Sequence, residues 1–467
     1  METSLAPCIP PALLPDESLP TAEDRRYLKT FRALSIRLLS DLDLPFVRGI
    51  LRRSVSSPAI RHAALALSAE LEVFARRVGN NGTNQALPSD QYSLRQYGKS
   101  LQSISQQLSS WEANRAAQAV EVLTAVFLLI CYELLRGHDA ESNIHLTGAM
   151  KGLASVPAED AGSDRPELAE LRGLYTRLEV YALSYLGGVG IGKPVLRTPL
   201  VPWAVLGPPF VSPIVNEAAV EALRGSLTNL AYRFFQFAPL STPFATKIPR
   251  APPSETRDPI TAAERDVMLY DLGQWELEFW ALVSEMGNSG DMPSHFRREC
   301  LALRLRQRYL HIYISTCLGT AGDTLYDDFQ PQFVDIVFCA DAILRMRGDV
   351  AALWTIETTV IEPLYFTTLK CREPQTRETA LALLRSSGQE GVWDGRVMAR
   401  IAERVISLEN ELSGQGAWPA RVCEVTTEFD HAKRSVWVTS EISTSPDPGT
   451  ARSEWREKLL YEAAEES

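Results

Sequence analysis

The sequence predicts an all-α fold of roughly ten or more helices, because apolar residues recur at three- and four-residue spacing in segment after segment. Prolines, glycines or small polar residues bound these segments, as expected at helix ends. No alternation of strand and helix patterns precedes residue 420. Apolar residues make up 45% of the chain and charged residues 22%, a balance typical of a folded protein with a sizeable core.

The first helix is predicted to begin near Thr21, which together with Asp24 resembles an N-terminal cap. The segment 116–136 is apolar nearly all round and is therefore predicted to be the central helix. Other helices are predicted at 59–74, 91–108, 140–153, 167–186, 261–285, 297–318, 332–347, 350–370 and 374–385, and after Asp394.

Strands are predicted only near the end of the chain. Residues 422–429 and 435–440 have the composition of a short C-terminal hairpin. The tail at 441–467 is polar, and a charged helix is expected from Arg452.

One large domain is predicted over residues 21–440. Residues 1–20 are rich in proline and are expected to be disordered. Six prolines within 239–259 predict a loop inside the domain.

Composition excludes several classes of protein. The net charge of −11 gives no general attraction to nucleic-acid phosphates and favours protein partners. Seven widely spaced cysteines contain no CxxC pair, which predicts buried thiols rather than a metal site or a disulfide framework. With no signal peptide, and with its longest apolar run confined to 125–132, the chain is predicted to be an intracellular protein outside the membrane.

Candidate chemical motifs are weak. The segment Gly187–Lys193 (GGVGIGK) approaches a phosphate loop, but Pro194 replaces the hydroxyl residue and a helical pattern precedes it, so a helix end is favoured. His138 and His145 lie seven residues apart without a third metal ligand. No GxSxG nucleophile motif occurs. We therefore predict no catalytic, cofactor-binding or metal-binding residues, and no enzyme.

A basic cluster lies on one predicted helix. It contains Arg297, Arg298, Arg304, Arg306 and Arg308. It could serve as an import signal or an anion-binding patch. A helix face interleaved with core leucines is the favoured interpretation.

A family resemblance enters at Ile361–Arg385 (IEPLYFTTLKCREPQTRETALALLR), followed by Glu390–Asp394 (EGVWD). These segments resemble the C-terminal part of the regulatory domain of fungal binuclear-zinc-cluster transcription factors. Four earlier segments are similar to that family in the same order: IRHAALALSA at 60–69, YGKSL at 97–101, CYELLRG at 131–137 and HLTG at 145–148. The resemblance spans about residues 23–440 and implies an all-helical regulatory domain.

Two departures limit what the resemblance implies. Gly388 and Gln389 stand where relatives often carry arginines. The family's six-cysteine zinc cluster needs CxxC pairs, whereas the N-terminal region contains only Cys8. We therefore expect no zinc, no other cofactor and no specific DNA binding by this chain itself.

The resemblance implies a fungal transcription regulator or coregulator, located in the nucleus or the cytoplasm. It would act through protein partners such as a zinc-cluster transcription factor, or as a dimer, and a link to a secondary-metabolite gene cluster is expected at the level of the family. The alternative is an enzyme or small-molecule-binding protein that uses a cavity in the helical body. Glu133 and Arg136 are expected to pair on the rim of the central helix.

Overall fold

The structure is a computed structural model of the 467-residue chain. It describes residues 21–38, 44–79, 88–109, 111–156, 166–186, 217–237, 260–288, 292–318, 322–347, 354–356, 358–413, 419–430, 434–444 and 452–460. The proline-rich start with Cys8, the glycine-rich 187–193 and the proline-rich 239–259 lie outside these residues. The described residues contain fourteen α-helices, which confirms the predicted helical class.

The chain divides into two compact units, Met1–Arg172 and Gly173–Ser467. The helices of the first unit are α1 (Ala22–Leu38), α2 (Leu44–Ser56), α3 (Pro58–Gly79), α4 (Pro88–Leu108), α5 (Trp111–Arg136), α6 (Asp139–Ser155) and the beginning of α7 (Pro166–Leu186).

Helix α5 forms the centre of the first unit, as predicted. Phe127, Leu128 and Leu129 are fully buried on successive positions, so apolar contacts surround the helix. The segment Gln118–Arg136 is long and apolar enough to cross a membrane, but 83% of it is buried against its own unit. A core helix passes the same test of length and composition, and burial within the unit identifies α5 as one.

The second unit contains the rest of α7 and seven further helices: α8 (Glu217–Phe237), α9 (Ala262–Asn288), α10 (Ser294–Thr316), α11 (Gln330–Arg347), α12 (Ile361–Lys370), α13 (Pro374–Ser386) and α14 (Gly395–Ser413). A 3-10 helix, Gly322–Phe329, precedes α11. The unit also has six strands: β1 (Trp354–Thr355), β2 (Gln389–Glu390), β3 (Trp393–Asp394), β4 (Arg421–Asp430), β5 (Ser435–Ser443) and β6 (Ser453–Leu460).

The predicted hairpin is confirmed and extended. Strands β4 and β5 pair antiparallel, and β6 adds to the other edge of β5. The helix expected from Arg452 is wrong. The segment alternates between exposed and half-buried residues, with Trp455, Glu457 and Leu459 on one face, and all of Ser453–Leu460 pairs with β5.

One helical prediction also fails, and two helices are missing from the predictions. The helix predicted at 350–370 begins only at Ile361, because strand β1 and a turn precede it. Helices α2 and α8 were not predicted at all. Pro45 and Gly49 conceal the helical pattern of α2, although a proline in the first turn of a helix costs little.

Candidate functional site

A buried polar stripe on α4 organises the first unit. Tyr92, Ser93, Gln96 and Ser100 are each 3% exposed or less, although all four are polar. Their spacing of three and four residues places them on one face of the helix. Since a buried polar group costs free energy unless it is hydrogen-bonded, the partners of this stripe define the site.

One branch of the network joins α4 to α1 and α3. The Tyr92 hydroxyl donates to Asp24 Oδ1 over 2.6 Å, and Gln96 Nε2 donates to the same oxygen over 3.0 Å. The Gln96 carbonyl oxygen lies 2.7 Å from His62 Nδ1. The backbone N–H of Asp24 also donates to Thr21 Oγ1 over 3.0 Å, which confirms the predicted cap of α1.

A second branch joins α4 to α5 and α6. The Tyr97 hydroxyl lies 2.8 Å from His145 Nε2, and it also contacts the carboxylate of Glu133. Glu133 Oε2 lies 2.8 Å from His138 Nδ1. The two histidines that the sequence placed seven residues apart therefore belong to one network, but they take different partners.

A third branch contains an ion pair that joins α3 to α5. Arg136 donates to the Tyr132 hydroxyl over 2.8 Å and to Glu70 Oε2 over 3.4 Å. Ser93 lies between Glu70 and Tyr132, at 3.5 and 3.4 Å. Arg136 thus pairs with Glu70 rather than with Glu133, because its position at the end of α5 directs it toward α3.

Gly137 fixes the turn that brings His138 back to α5. Its φ of +72° lies in the left-handed region that favours glycine. The N–H of His138 donates to the Glu133 carbonyl over 3.0 Å, and the N–H of Gly137 donates to the Leu134 carbonyl over 3.2 Å. These two bonds form a Schellman motif, which ends α5 and aligns the start of α6.

The network suits scaffolding better than reaction chemistry. Burial lowers the pKa of His62 and of His145, so both rings are neutral at physiological pH. Burial raises the pKa of the Tyr97 hydroxyl well above its ordinary value, so it stays protonated. Among the described residues, no three His, Cys, Asp or Glu side chains come together as metal ligands.

The second unit buries ionic groups instead. Glu409, on α14, is 4% exposed and accepts hydrogen bonds from Arg372 and from Arg377, each over 2.6 Å. The backbone N–H of Val422 donates to the same carboxylate over 2.8 Å, and Arg377 Nε donates to the Thr368 carbonyl over 2.6 Å. The Glu409 carboxylate therefore joins α13, α14 and β4, and Arg377 extends the connection to α12.

Lysine and cysteine in the same segment hold neighbouring elements. Lys370 Nζ donates to the Cys423 carbonyl over 2.6 Å and lies 5.0 Å from the centroid of the Tyr326 ring. Cys371 Sγ donates to Gln330 Oε1 over 3.2 Å. The positively charged residues of the KCREPQTR segment are thus engaged within the unit.

Glu390, from the EGVWD segment, caps the N-terminus of helix α12, although it lies about thirty residues further along the chain. It is fully buried, and its Oε2 accepts the backbone N–H groups of Thr359, Val360 and Ile361 over 2.8, 2.9 and 3.0 Å. Arg347 binds the other oxygen. A carboxylate at a helix N-terminus satisfies the unpaired N–H groups and complements the helix dipole.

The basic cluster on α10 is largely paired within the unit. Arg304 and Arg308 both donate to Asp335 over 2.9 Å. Arg306 donates to the Tyr181 hydroxyl over 2.7 Å and to the Thr358 carbonyl over 2.9 Å. These contacts support the favoured interpretation of the cluster as a packed helix face.

Sequence reasoning missed several members of both clusters. Glu70, Gln96 and Glu409 have no motif of their own, and each finds its partner more than twelve residues away. Glu390 belongs to the EGVWD segment, but the resemblance gave no indication of its partner Arg347. The available signal was polar residues at helical spacing inside otherwise apolar helices, which predicts buried partners but not their identity.

Comparison with known proteins gives one family match. Residues 28–178 match the family model described as the fungal specific transcription factor domain, over less than half of the chain. The matched stretch contains the segments at 60–69, 97–101, 131–137 and 145–148. A search of curated proteins and of solved structures finds no match. The resemblance to the regulatory domain of fungal transcription factors is therefore confirmed, and it supports a role as a fungal transcription regulator.

Proposed function

Because residues 28–178 match a fungal specific transcription factor domain, we propose that this chain regulates transcription in the nucleus through protein partners. That match is the observation that carries the proposal. The chain would act as a regulator or coregulator, and a partner such as a zinc-cluster transcription factor would supply the DNA contacts. Control of a secondary-metabolite gene cluster is the metabolic setting that we propose.

The use of polar side chains inside each unit supports this role. His62, Tyr97, Glu133, Arg136 and His145 come from the segments that resemble the family, and each has a partner inside the first unit. Side chains with these partners hold neighbouring helices together, which supports a structural role for them. The surface of the helical body then remains as the means of recognition.

The charge distribution supports DNA contacts through a partner. The net charge of −11 opposes approach to phosphates, and Arg304 and Arg308 are both paired with Asp335. We expect the isolated chain to bind duplex DNA more weakly than about micromolar at physiological salt, without sequence preference. A fluorescence titration with random and promoter fragments measures this affinity. Tight, sequence-specific binding by the isolated chain would contradict the proposal that a partner supplies the DNA contacts.

A tethering experiment tests the regulatory role. The full chain is fused to a heterologous DNA-binding domain and expressed in a fungal cell that carries a reporter behind the matching operator. We expect a several-fold rise or fall in reporter transcript when the fusion occupies the operator. Occupancy is measured by chromatin immunoprecipitation in the same cells.

Two matched controls define the result. The DNA-binding domain alone reports the effect of operator occupancy, and the chain without that domain reports indirect effects. An unchanged reporter, with the fusion intact and bound at the operator, would count against a regulatory role.

A further inference from the structure

Helices α4 and α6 of the first unit are joined at the surface by the contact between Tyr97 and His145. Both residues are half-buried, so the contact is partly open to solvent. The Tyr97 hydroxyl lies 2.8 Å from His145 Nε2, and the two ring centroids are 6.1 Å apart. The YGKSL segment at 97–101 and the HLTG segment at 145–148, both similar to the regulatory domain, therefore meet at this point.

Three exposed leucines form a rim on α4. Leu94, Leu101 and Leu108 are 50%, 36% and 47% exposed, and they recur every seven residues. Leu94 and Leu101 lie three residues before and four residues after Tyr97, so they flank it on one side of the helix. The rim is about 21 Å long, or about four turns of helix. A seven-residue repeat of leucine is the spacing with which one helix packs against a second helix.

Glu141 and Gly148 form the facing rim on α6. They are exposed, and they lie four residues before and three residues after His145. A Cβ at Gly148 would meet nothing within 4 Å, so there is open space above this part of the helix. Ile144, which is 69% exposed, adds apolar surface beside the rim. The two rims and the half-buried floor between them define the α4–α6 groove.

The α4–α6 groove carries negative charge. Glu141 is exposed and has no ionic partner among the described residues. Glu133 lies beneath the floor, where it is 4% exposed and its carboxylate contacts the Tyr97 hydroxyl. Burial lowers the pKa of His145, and the charges of Glu133 and Glu141 oppose that shift, so both carboxylates act on the floor. A positively charged partner is therefore attracted to this groove and an acidic partner is repelled.

We propose that the α4–α6 groove binds an amphipathic α-helix of a protein partner, with apolar side chains against the leucine rim and a lysine or arginine beside Glu141. The seven-residue repeat selects a helix as the occupant, and the unpaired carboxylate selects a basic one. The groove is short, so we expect a Kd of about 10–100 μM. The proposal names a partner surface for the transcription regulator proposed above, and it rests on that function for its biological role.

Fluorescence anisotropy with two designed peptides tests the proposal on the full chain. Both peptides are four-turn amphipathic helices with leucines on one face, flanked by lysines in the first peptide and by glutamates in the second. We expect the lysine peptide to bind at least tenfold more tightly than the glutamate peptide. Leu101→Glu should weaken the lysine peptide at least tenfold, whereas Leu277→Glu, at a 66% exposed leucine on α9, should bind as wild type. A wild-type chain that binds neither peptide, or a Leu101→Glu chain that binds normally, would overturn the proposal.

A charge reversal tests where the basic residue of the peptide lies. Glu141→Lys should weaken the lysine peptide and strengthen the glutamate peptide, because the charge changes sign at one point of the groove. Glu378→Lys, at an exposed glutamate on α13, changes the net charge equally and should leave both affinities unchanged. Equal effects of the two substitutions would reveal a response to net charge alone and would reject the groove.

A substitution at Gly148 separates the groove from the fold. Gly148→Leu has open space in the free chain, so its melting temperature should equal or exceed that of wild type. The added side chain should occupy the groove and weaken the lysine peptide at least tenfold. Gly273→Leu, at an equally open helical glycine on α9, is the matched control and should bind as wild type. A folded Gly148→Leu chain that binds the peptide normally would overturn the proposal.

Two further measurements separate this proposal from its alternatives. Sedimentation velocity of the chain without peptide reports self-association, and a dimer that Leu101→Glu disrupts would assign the groove to a second copy and reject a partner helix. Reporter activity in the tethering experiment without peptide binding would reject the groove and keep the proposed function. Peptide binding with the pattern of variants above, but without reporter activity, would support the groove and count against the regulatory role.

Discussion

The polar network of the first unit relies mainly on neutral donors, apart from the contact between Arg136 and Glu70 at 3.4 Å, whereas the buried carboxylates described in the second unit are held by arginines. In the first, Tyr97 and His145 form a neutral hydrogen-bonded pair beside the apolar helix α5. In the second, Glu390 and Glu409 are carboxylates inside the core, and each is paired with arginine. Removing one partner of a buried ion pair leaves an unpaired charge in the interior, whereas removing one partner of a neutral hydrogen bond leaves only an unpaired polar group. The second unit should therefore respond more strongly to single substitutions.

Glu390→Ala should have the largest effect. It removes three hydrogen bonds from the start of α12 and leaves Arg347, whose side chain is 6% exposed, without this carboxylate. We expect the free energy of unfolding to fall by roughly 3–5 kcal/mol. Urea unfolding followed by circular dichroism measures the loss. Glu403→Gln, which affects an exposed pair with Arg385, is the control and should cost about 0.5 kcal/mol or less.

Glu409→Gln should have the next largest effect. It leaves Arg372 and Arg377 facing a neutral amide, and these two side chains are 18% and 13% exposed. Partial access of water reduces the cost, so we expect roughly 2–3 kcal/mol. Arg377→Ala can be made both in wild type and in the Glu409→Gln background. If it lowers the free energy of unfolding equally in both, the two residues are not coupled and the ion pair between them does not stabilise the second unit.

Tyr97→Phe should have a smaller effect in the first unit. It removes the hydroxyl that bonds to His145 and keeps the ring that packs 5.0 Å from the Tyr132 ring. We expect a loss of about 1–2 kcal/mol, because one buried ring nitrogen loses its partner. Tyr270→Phe, at an exposed tyrosine, is the matched control and should leave the unfolding free energy unchanged. A loss at Tyr97 as large as that at Glu390 would erase the contrast between the units.

The smallest expected effect is a pH dependence of opposite sign in the two units. Burial lowers the pKa of His62 and His145 below the ordinary 6.5. Just below that pH, the unfolded chain therefore binds more protons at these two residues than the folded chain does. Their stabilising contribution is therefore present above pH 6.5 and lost as the pH falls toward 5. In the second unit, burial raises the pKa of Glu278 to about 7, so its contribution is present below 4.5 and lost as the pH rises to 7.

Urea unfolding between pH 5 and 8 measures these opposing slopes. Glu278→Gln removes the contribution of the second unit, so acid should destabilise this variant more steeply than wild type. Substitution of both His62 and His145 by glutamine should reduce the loss of unfolding free energy that wild type shows as the pH falls. An unchanged pH profile in both variants would show that these groups titrate normally in the folded chain.

Local patterns predicted most of the helices for a physical reason. Apolar periodicity identified α5, α10 and α14, because burial of one face stabilises a helix wherever its neighbours come from. Asp394 was recognised as a cap, and its Oδ1 accepts the N–H groups of Arg396 and Val397 over 2.9 and 3.1 Å. A cap acts within three residues, so the sequence alone reveals it.

Long-range features could not be read in the same way. The start of α12 depends on Glu390, which lies about thirty residues further along the chain. Strand β6 has a charged, alternating sequence that fits a solvated helix equally well, and only pairing with β5 makes it a strand. Tertiary partners decide such cases because local propensity differs by only tenths of a kcal/mol per residue.

The sequence by itself determined that this protein is helical, acidic and similar to the regulatory domain of fungal transcription factors. Those properties follow from composition, short-range periodicity and short motifs, and none of them requires a partner elsewhere in the chain. The tertiary structure decided how the chain divides into two units and which buried charges meet. Each of these depends on contacts between distant residues, whose free energy appears only when the chain has folded.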